Sequence, residues 1–445
     1  MAFNVNRATI CPLLAAGVLA AGVAGAGAQS ADALIDKLVE KGILSVREAK
    51  ELREEADKGF NTAFAAKTGM PEWVTGFRMG GDFRARFEGF YAGNPTAAER
   101  NRFQYRLRYG MTVDMFDRVE AGFRLASIGD TAGNPISSNQ TFDNNASKKG
   151  LSLDLVYGRW RAIETADWSV VLTAGKMENP FVFTPIVFDP DYTPEGIAQQ
   201  LTYRLNPHHD LKLNVGGFVL EESGTTRRDS YLVGAQARWE ARWGEKWTTA
   251  LGGAALAITD KGSLTPANGQ LNIGEGNSRT GGLAAGDPVH NFTPVILSAE
   301  AGYTLDRFPM YPGAFPLRLT GEYLRNTSAP TANEGYSVKL TLGKSGKRKT
   351  WDLSYELRLL ERDAIYEELP ESDFNAFTQV PLTVGGVGGF VNGTNVRGHI
   401  LRLGYSPFDS ITLSVTYWIT ENIVESPAGA SSAARRLQAD IVWKF

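Results

Sequence analysis

Arg102–Met115 reads R-F-Q-Y-R-L-R-Y-G-M-T-V-D-M. Phe103, Tyr105, Leu107, Tyr109, Met111, Val113 and Met115 alternate with Arg102, Gln104, Arg106, Arg108, Thr112 and Asp114. A period of two places the first set on one face of a strand and the second set on the other. Strands in soluble sheets average about five to six residues. This run is far longer, and suits a tilted strand of about nine to eleven residues crossing a bilayer.

The same alternation opens at Phe77–Phe87. Phe77, Met79, Phe83, Ala85 and Phe87 alternate there with Arg78, Asp82, Arg84 and Arg86. Followed to the C-terminus, the pattern predicts strands over 74–88, 101–115, 119–128, 151–161, 168–177, 196–205, 210–220 and 230–240. It continues through 247–257, 294–305, 316–326, 335–343, 350–360, 396–405, 410–420 and 435–445. That is sixteen, and the intervals alternate in length. Short ones are 116–118, 206–209, 241–246 and 406–409; long ones are 129–150, 178–195, 258–293 and 361–395. Barrels of the outer membrane have short periplasmic turns and long outer loops. The expected fold is therefore an all-β, antiparallel transmembrane barrel of about 16 strands over 73–445. An even strand number puts both ends of the barrel on the short-turn, periplasmic side.

Composition agrees once two faces are averaged. The 445 residues carry 46 Lys and Arg against 49 Asp and Glu, a formal net charge of −3, and a mean hydropathy of −0.21. No basic excess suggests nucleic acid as a partner. One cysteine, Cys11, and four histidines rule out a disulfide scaffold and a cysteine-ligated zinc site. Residues 1–28 read as a secretory signal peptide. Arg7 is its positive region, Ile10–Ala26 its small apolar run, and Ala26-Gly27-Ala28 its cleavage motif, cut after Ala28. Cleavage removes Cys11. Residues 29–60 read as a periplasmic helical hairpin or coiled-coil prefix. Leu34, Ile35, Leu38 and Val39 share a face, and Ser45 with Glu48 forms a capping box.

With the apolar set facing lipid, the polar set lines the lumen. The first three strands then place Arg78, Arg84, Arg86, Arg102, Arg106, Arg108 and Arg124 inside, with Asp82, Glu88, Asp114 and Glu120 among them. Rings of arginine favour anions in pores, so a locally positive wall is expected. The single-residue alternative is that each arginine pairs with a lumenal carboxylate and braces the wall. The last strand alternates Leu437, Ala439, Ile441, Trp443 and Phe445 with more polar residues. Its terminal Phe445, with Trp443, resembles the assembly signal of bacterial outer-membrane barrels. Aromatic residues near strand ends, Trp247, Tyr303, Tyr323, Trp351, Tyr405 and Tyr417 among them, suit interfacial girdles.

The most distinctive loop begins Gly175-Lys176-Met177-Glu178-Asn179-Pro180-Phe181. It passes Phe188-Asp189-Pro190-Asp191 and closes with Pro194-Glu195-Gly196. These motifs, and the K-G-I-L-S wording of the prefix, resemble the putative porins of Gram-negative outer membranes. The resemblance implies a water-filled channel in the outer membrane for passive diffusion of small hydrophilic solutes and ions. In general porins the third outer loop folds into the lumen. By that analogy Glu178, Asp189, Asp191 and Glu195 face the arginine wall across a constriction. By analogy with sixteen-stranded porins a homotrimer in outer-membrane lipid is expected, with Phe445 read by the barrel assembly machinery; the prefix is either a spacer or a cell-wall-contacting element.

Other classes fit less well. A lipase- or protease-like barrel needs a nucleophile beside a histidine. His208, His209, His290 and His399 offer none by spacing, and no G-x-S-x-G or H-E-x-x-H occurs. Sixteen strands also suggest a wide, water-filled lumen. A structural or tethering protein acting through the prefix is the other alternative. No cofactor or metal site is assigned; Asp189, Asp191 and Glu195 could hold Ca²⁺ through oxygen ligands, but their spacing does not match an EF-hand.

Overall fold

The computed structural model describes residues 49, 69, 71–94, 97, 99–129, 136–222, 229–264, 276–281, 286–378, 389–391, 393–425 and 431–445. The expected signal peptide lies outside these residues, as does the prefix apart from Ala49, which is helical. The chain divides into two compact units, 1–76 and 77–445. The second contains the barrel.

Its long strands are β1 (Val74–Ala92), β2 (Arg100–Met115) and β3 (Val119–Ser127). A two-residue strand, β4 (Gln140–Thr141), precedes β5 (Leu151–Glu164), β6 (Trp168–Lys176), β7 (Glu195–Asn206) and β8 (His209–Glu221). There follow β9 (Ser230–Trp243), β10 (Trp247–Ile258), β11 (Pro294–Leu305), β12 (Phe315–Asn326), β13 (Glu334–Gly343) and β14 (Thr350–Leu360). A small hairpin, β15 (Ala376–Thr378) with β16 (Gly389–Val391), precedes β17 (Val396–Phe408), β18 (Ile411–Asn422) and β19 (Ala434–Lys444). Setting aside β4, β15 and β16, sixteen strands among the described residues form one antiparallel sheet, each beside its sequence neighbour. The sheet closes because β1 pairs with β19, with Phe83 opposite Trp443 and Arg86 opposite Asp440. Closure satisfies every strand edge internally, which hydrocarbon demands.

The two faces differ as their side chains require. On the outside, Phe103, Leu153, Leu251, Leu297 and Leu403 are each at least half exposed. On the inside, Gln104, Arg106 and Glu120 are buried. At the short-turn rim, Trp168 stacks on Tyr203 at 4.3 Å and Trp247 packs against Tyr303 at 4.6 Å. These rings belong at the headgroup boundary. One turn on that side, 306–314, is longer than the others there, in line with the expected interval between 305 and 316. Its Phe308 and Tyr311 pack on the fully buried Phe315 beside Trp351, at 4.1, 4.9 and 5.2 Å from the Phe315 ring. Apolar contact explains the extra residues.

The wall has one irregularity. β3 ends at Ser127, well short of the partner it would need along the upper half of β2. β4, from the loop 128–150, fills that place: Gln104 faces Thr141, Tyr105 faces Gln140, and Phe142 N donates to the Phe103 carbonyl at 2.8 Å.

Inserted loops narrow the lumen that the sixteen strands enclose. An apolar cluster occupies part of it. From the loop 177–194 come Met177, Phe181, Ile186, Val187 and Phe188; from the loop after β14 come Ala364, Ile365, Tyr366 and Leu369. They pack on Phe218, Leu232, Leu256, Ile296, Leu324 and Leu360, which the wall strands point inward. Sixteen strands enclose more space than wall side chains can fill, so inserted loops supply the missing volume. The loop segment 276–280 locks in behind them. Arg279 and Glu367, both fully buried, pair at 2.6 Å, and Asn277 Nδ2 donates to the carbonyls of Arg362 and Ile365.

Candidate pore constriction

With one side of the lumen filled, the remaining space lies along β13, β14, β17–β19, β1 and β2. A chamber of about 370 Å³ sits there, roofed by Pro185–Asp191 and by Glu371–Asp373. Its lining includes six basic side chains and six acidic ones, the acids being Asp189, Asp191, Glu356, Glu371, Asp373 and Asp440.

The alternation in β1–β3 directs all seven expected arginines inward, and six of them meet a carboxylate. Arg78 bonds Asp114 at 2.7 Å. Arg86 bonds Asp440 through Nε and Nη2, at 2.7 and 2.9 Å, and lies 3.5 Å from Asp373. Arg102 meets Glu88 at 2.5 Å. Arg106 and Arg108 share both Asp82 and Asp191, at 2.8 to 3.2 Å. Arg124 joins Asp154 at 2.5 Å and Glu178 at 3.0 Å. Arg84 differs. Its Nη2 donates to Asn139 Oδ1 at 2.5 Å, and its buried Nε has no hydrogen-bond partner among the described residues. The expected positive wall is thus largely neutralised by its own carboxylates, because buried guanidinium is costly without a partner.

The four expected loop acids separate into two groups. Asp191 and Glu178 do reach the arginines. Asp189 turns the other way: its Oδ2 accepts from Ser372 N at 3.0 Å, its Oδ1 accepts from Asp191 N at 2.8 Å, and its own N–H donates to the Leu369 carbonyl at 2.7 Å. It ties loop to loop. Burial, then the charge of Asp191, pushes the Asp189 carboxyl up to about 7. Glu195 opens β7 and bonds Lys176 at 3.1 Å at an exposed position away from the arginines. Two residues apart on an extended chain is the same face, but the turn at Asp189–Tyr192 breaks that rule.

The loop 361–375 supplies acids that the sequence did not mark. Glu371 bonds Arg358 at 2.5 Å, and Asp373 bonds Arg436 at 2.6 Å. Burial raises the Glu371 carboxyl despite Arg358. Burial opposes ionisation of Asp373 too, yet Arg436 and Arg86 outweigh it and hold that carboxyl below the usual range. Arg436 also bonds Glu88 at 2.5 Å. Arg436, Gln438 and Asp440 are one alternating set on the last strand, so period two could have marked them as inward. Glu371 and Asp373 had no such signal.

Trp443 packs against Phe83 at 5.4 Å in the closing seam, and Phe445 stacks near Tyr109. His399 lies on the outer face and bonds the Tyr355 hydroxyl at 2.8 Å. Among the described residues no group of three or more His, Cys, Asp or Glu could hold a metal ion.

Comparison with known proteins finds similar solved structures and one family model that matches part of the chain. Several solved outer-membrane structures are similar. OprB of Pseudomonas putida, at high pH, shares 12% identity with a TM-score of 0.49, over 83% of this chain and 94% of that one. Salmonella typhi OmpF in complex with daunomycin shares 10% at 0.45, over 83% and 97%. The outer membrane channel DcaP of Acinetobacter baumannii shares 12% at 0.44, over 83% and 97%. No curated protein sequence matches. Residues 91–258 match the family model described as putative porin. That match runs from the last residues of β1 to the last of β10, eight whole barrel strands together with the loop 177–194.

Proposed function

We propose that the protein is an outer-membrane porin for passive diffusion of small hydrophilic solutes and ions. The observation that carries this reading is the closed sixteen-strand barrel whose charged inner face is narrowed by a loop bonded to Arg106 and Arg108. A packed-core protein would not line its interior with charge; a channel needs water and polar walls along its path. The matched family supports a channel rather than an enzyme. Solutes pass through the chamber beside β1 and β2, since the apolar loop cluster blocks the opposite side. The size limit is therefore set by loops 177–194 and 361–375.

Further parts of the reading follow from orientation. Both barrel ends lie on the short-turn side, which supports a periplasmic position for residues 29–60 and a cell-wall contact there. Assembly as a homotrimer and recognition of Phe445 by the assembly machinery belong to the same proposal.

The deciding experiment is reconstitution of the full chain in planar lipid bilayers, with swelling of sugar-loaded liposomes alongside. Stepwise ohmic conductance and size-dependent swelling are expected. Membranes that hold the folded protein without either signal would overturn the reading.

A further inference from the structure

Within the chamber, five basic side chains have a carboxylate within salt-bridge reach. Arg86 has Asp440, Arg106 has Asp191, Lys339 and Arg358 have Glu356, and Arg402 has Asp352. Arg84 stands among them with a neutral partner, Asn139. Arg86 and Arg106 repel it, while Asp440 and Asp191 attract it without coming into salt-bridge reach. A guanidinium with no directly bonded carboxylate and a buried, unbonded Nε is unfavourable for the empty pore. An anion removes that cost.

We propose that Arg84, with Asn139 beside it, is a docking point for a small monocarboxylate in transit through the pore. This rests on the porin reading above. It replaces a diffuse positive wall with one site. The chemistry selects the ligand class. A planar guanidinium matches a planar carboxylate, and the Asn139 amide offers a donor at the same place. One guanidinium without a bonded carboxylate offers a place for one carboxylate. A second charge on the ligand would meet Asp189, Asp191 and Asp440, which line the same chamber. The space of about 370 Å³ has room for a small organic acid. Asn139 belongs to the loop 128–150 that patches the wall beside β2, so the patch also completes the site.

The test uses full-length protein in planar bilayers bathed in potassium acetate. Single-channel conductance should saturate with acetate concentration in the unmodified protein. Arg84→Gln should raise the half-saturating concentration about tenfold or make conductance linear, as loss of a charged hydrogen bond would. Asn139→Asp should do the same, because it gives Arg84 a resident carboxylate without removing it. Arg84→Lys should keep saturation. Conductance linear in acetate for the unmodified protein would overturn the proposal and leave the porin reading intact. So would saturation unaltered by both Arg84→Gln and Asn139→Asp. If Arg84→Gln fails to insert, Asn139→Asp decides alone. Absence of any conductance would remove the porin reading and this site together.

Discussion

Nη1 of Arg106 on β2 lies 3.0 Å from each carboxylate oxygen of Asp191, which comes from the loop between β6 and β7. Arg106 is buried, and its Nη2 meets Asp82 at 3.1 Å on the neighbouring strand. This guanidinium therefore fastens the loop to the wall by bridging two carboxylates, and with Arg108 it balances their charge. Removing one member of a buried pair costs about 3 kcal/mol or more. Asp191→Asn should loosen the loop and leave Arg106 and Arg108 with Asp82 alone. The reversal potential in a potassium chloride gradient should move toward anions. Arg106→Gln with Arg108→Gln should move it toward cations, and adding Arg84→Gln should move it further. An unchanged reversal potential in the triple variant would show that these residues lie off the ion path.

Asp189 gives the pore a pH dependence of defined sign. Its ordinary value is 3.8, and in the folded protein it rises to about 7. Between those values the folded state binds the proton more tightly than an unfolded chain does. Stability contributed by this group is therefore present at low pH and falls as pH rises toward 7. The groups facing it are Asp191 on its own loop, and Glu371 with Ser372 on the other; Arg84 and Arg106 share the chamber. Ionisation adds one negative charge to the chamber that Arg84 also lines. Anion preference should be greatest below about pH 6 and decline by about pH 8, one unit either side of the midpoint. Asp189→Asn should flatten that profile. A wild-type selectivity independent of pH across this range would contradict the assignment.

How far the sequence carried this structure depends on the distance over which its signals act. Period-two alternation names a strand and its faces from neighbours alone. It placed all sixteen barrel strands within a few residues, and it turned Arg84, Arg86, Arg106 and Arg108 inward. It could not name partners. Glu88 and Arg436 meet only because the sheet closes on itself, bringing β1 beside β19. Asp189 and Asp191 look equivalent in sequence, yet a turn aims one at Ser372 and the other at Arg106. Filling of the lumen was illegible for a further reason. Ile186, Val187 and Phe188 read as an apolar patch in a loop, and only the empty volume inside a large barrel explains where they go.

Phe188 tests that filling directly. It is buried between Phe181 at 6.3 Å and Tyr192 at 5.4 Å, within the cluster that includes Leu232 and Leu256. Phe188→Ala should leave a cavity costing about 3 kcal/mol or more. The sheet pairs elsewhere, so the barrel should still form. Amides of residues 181–192 should exchange faster with solvent, while those of β9 and β10 stay protected. Mean conductance should rise, with larger current fluctuations from a loosened loop. Equal exchange and conductance would mean that the cluster does not restrict the pore.

The closing seam supplies the last prediction. Gly81 N donates to the Phe445 carbonyl at 2.8 Å, and Phe445 N donates back to Gly81 at 3.1 Å. Beyond β19, the final residue thus extends the pairing that shuts the barrel. Gly81 is itself constrained: a Cβ there would lie 2.2 Å from the Arg108 carbonyl oxygen and 3.1 Å from the Phe445 ring. The backbone oxygen cannot move aside without disturbing β2, so Gly81→Ala forces the seam apart. Deleting Phe445 removes two backbone hydrogen bonds worth about 1 kcal/mol each, together with the ring near Tyr109. Both variants should shift the unfolding of the detergent-solubilised barrel to lower temperature, Gly81→Ala more than the deletion. If recognition by the assembly machinery is the larger role of Phe445, the order reverses in cells. The deletion should then reduce the amount reaching the outer membrane more than Gly81→Ala does. Membrane levels that fall in the same order as stability in detergent would assign Phe445 to the seam alone.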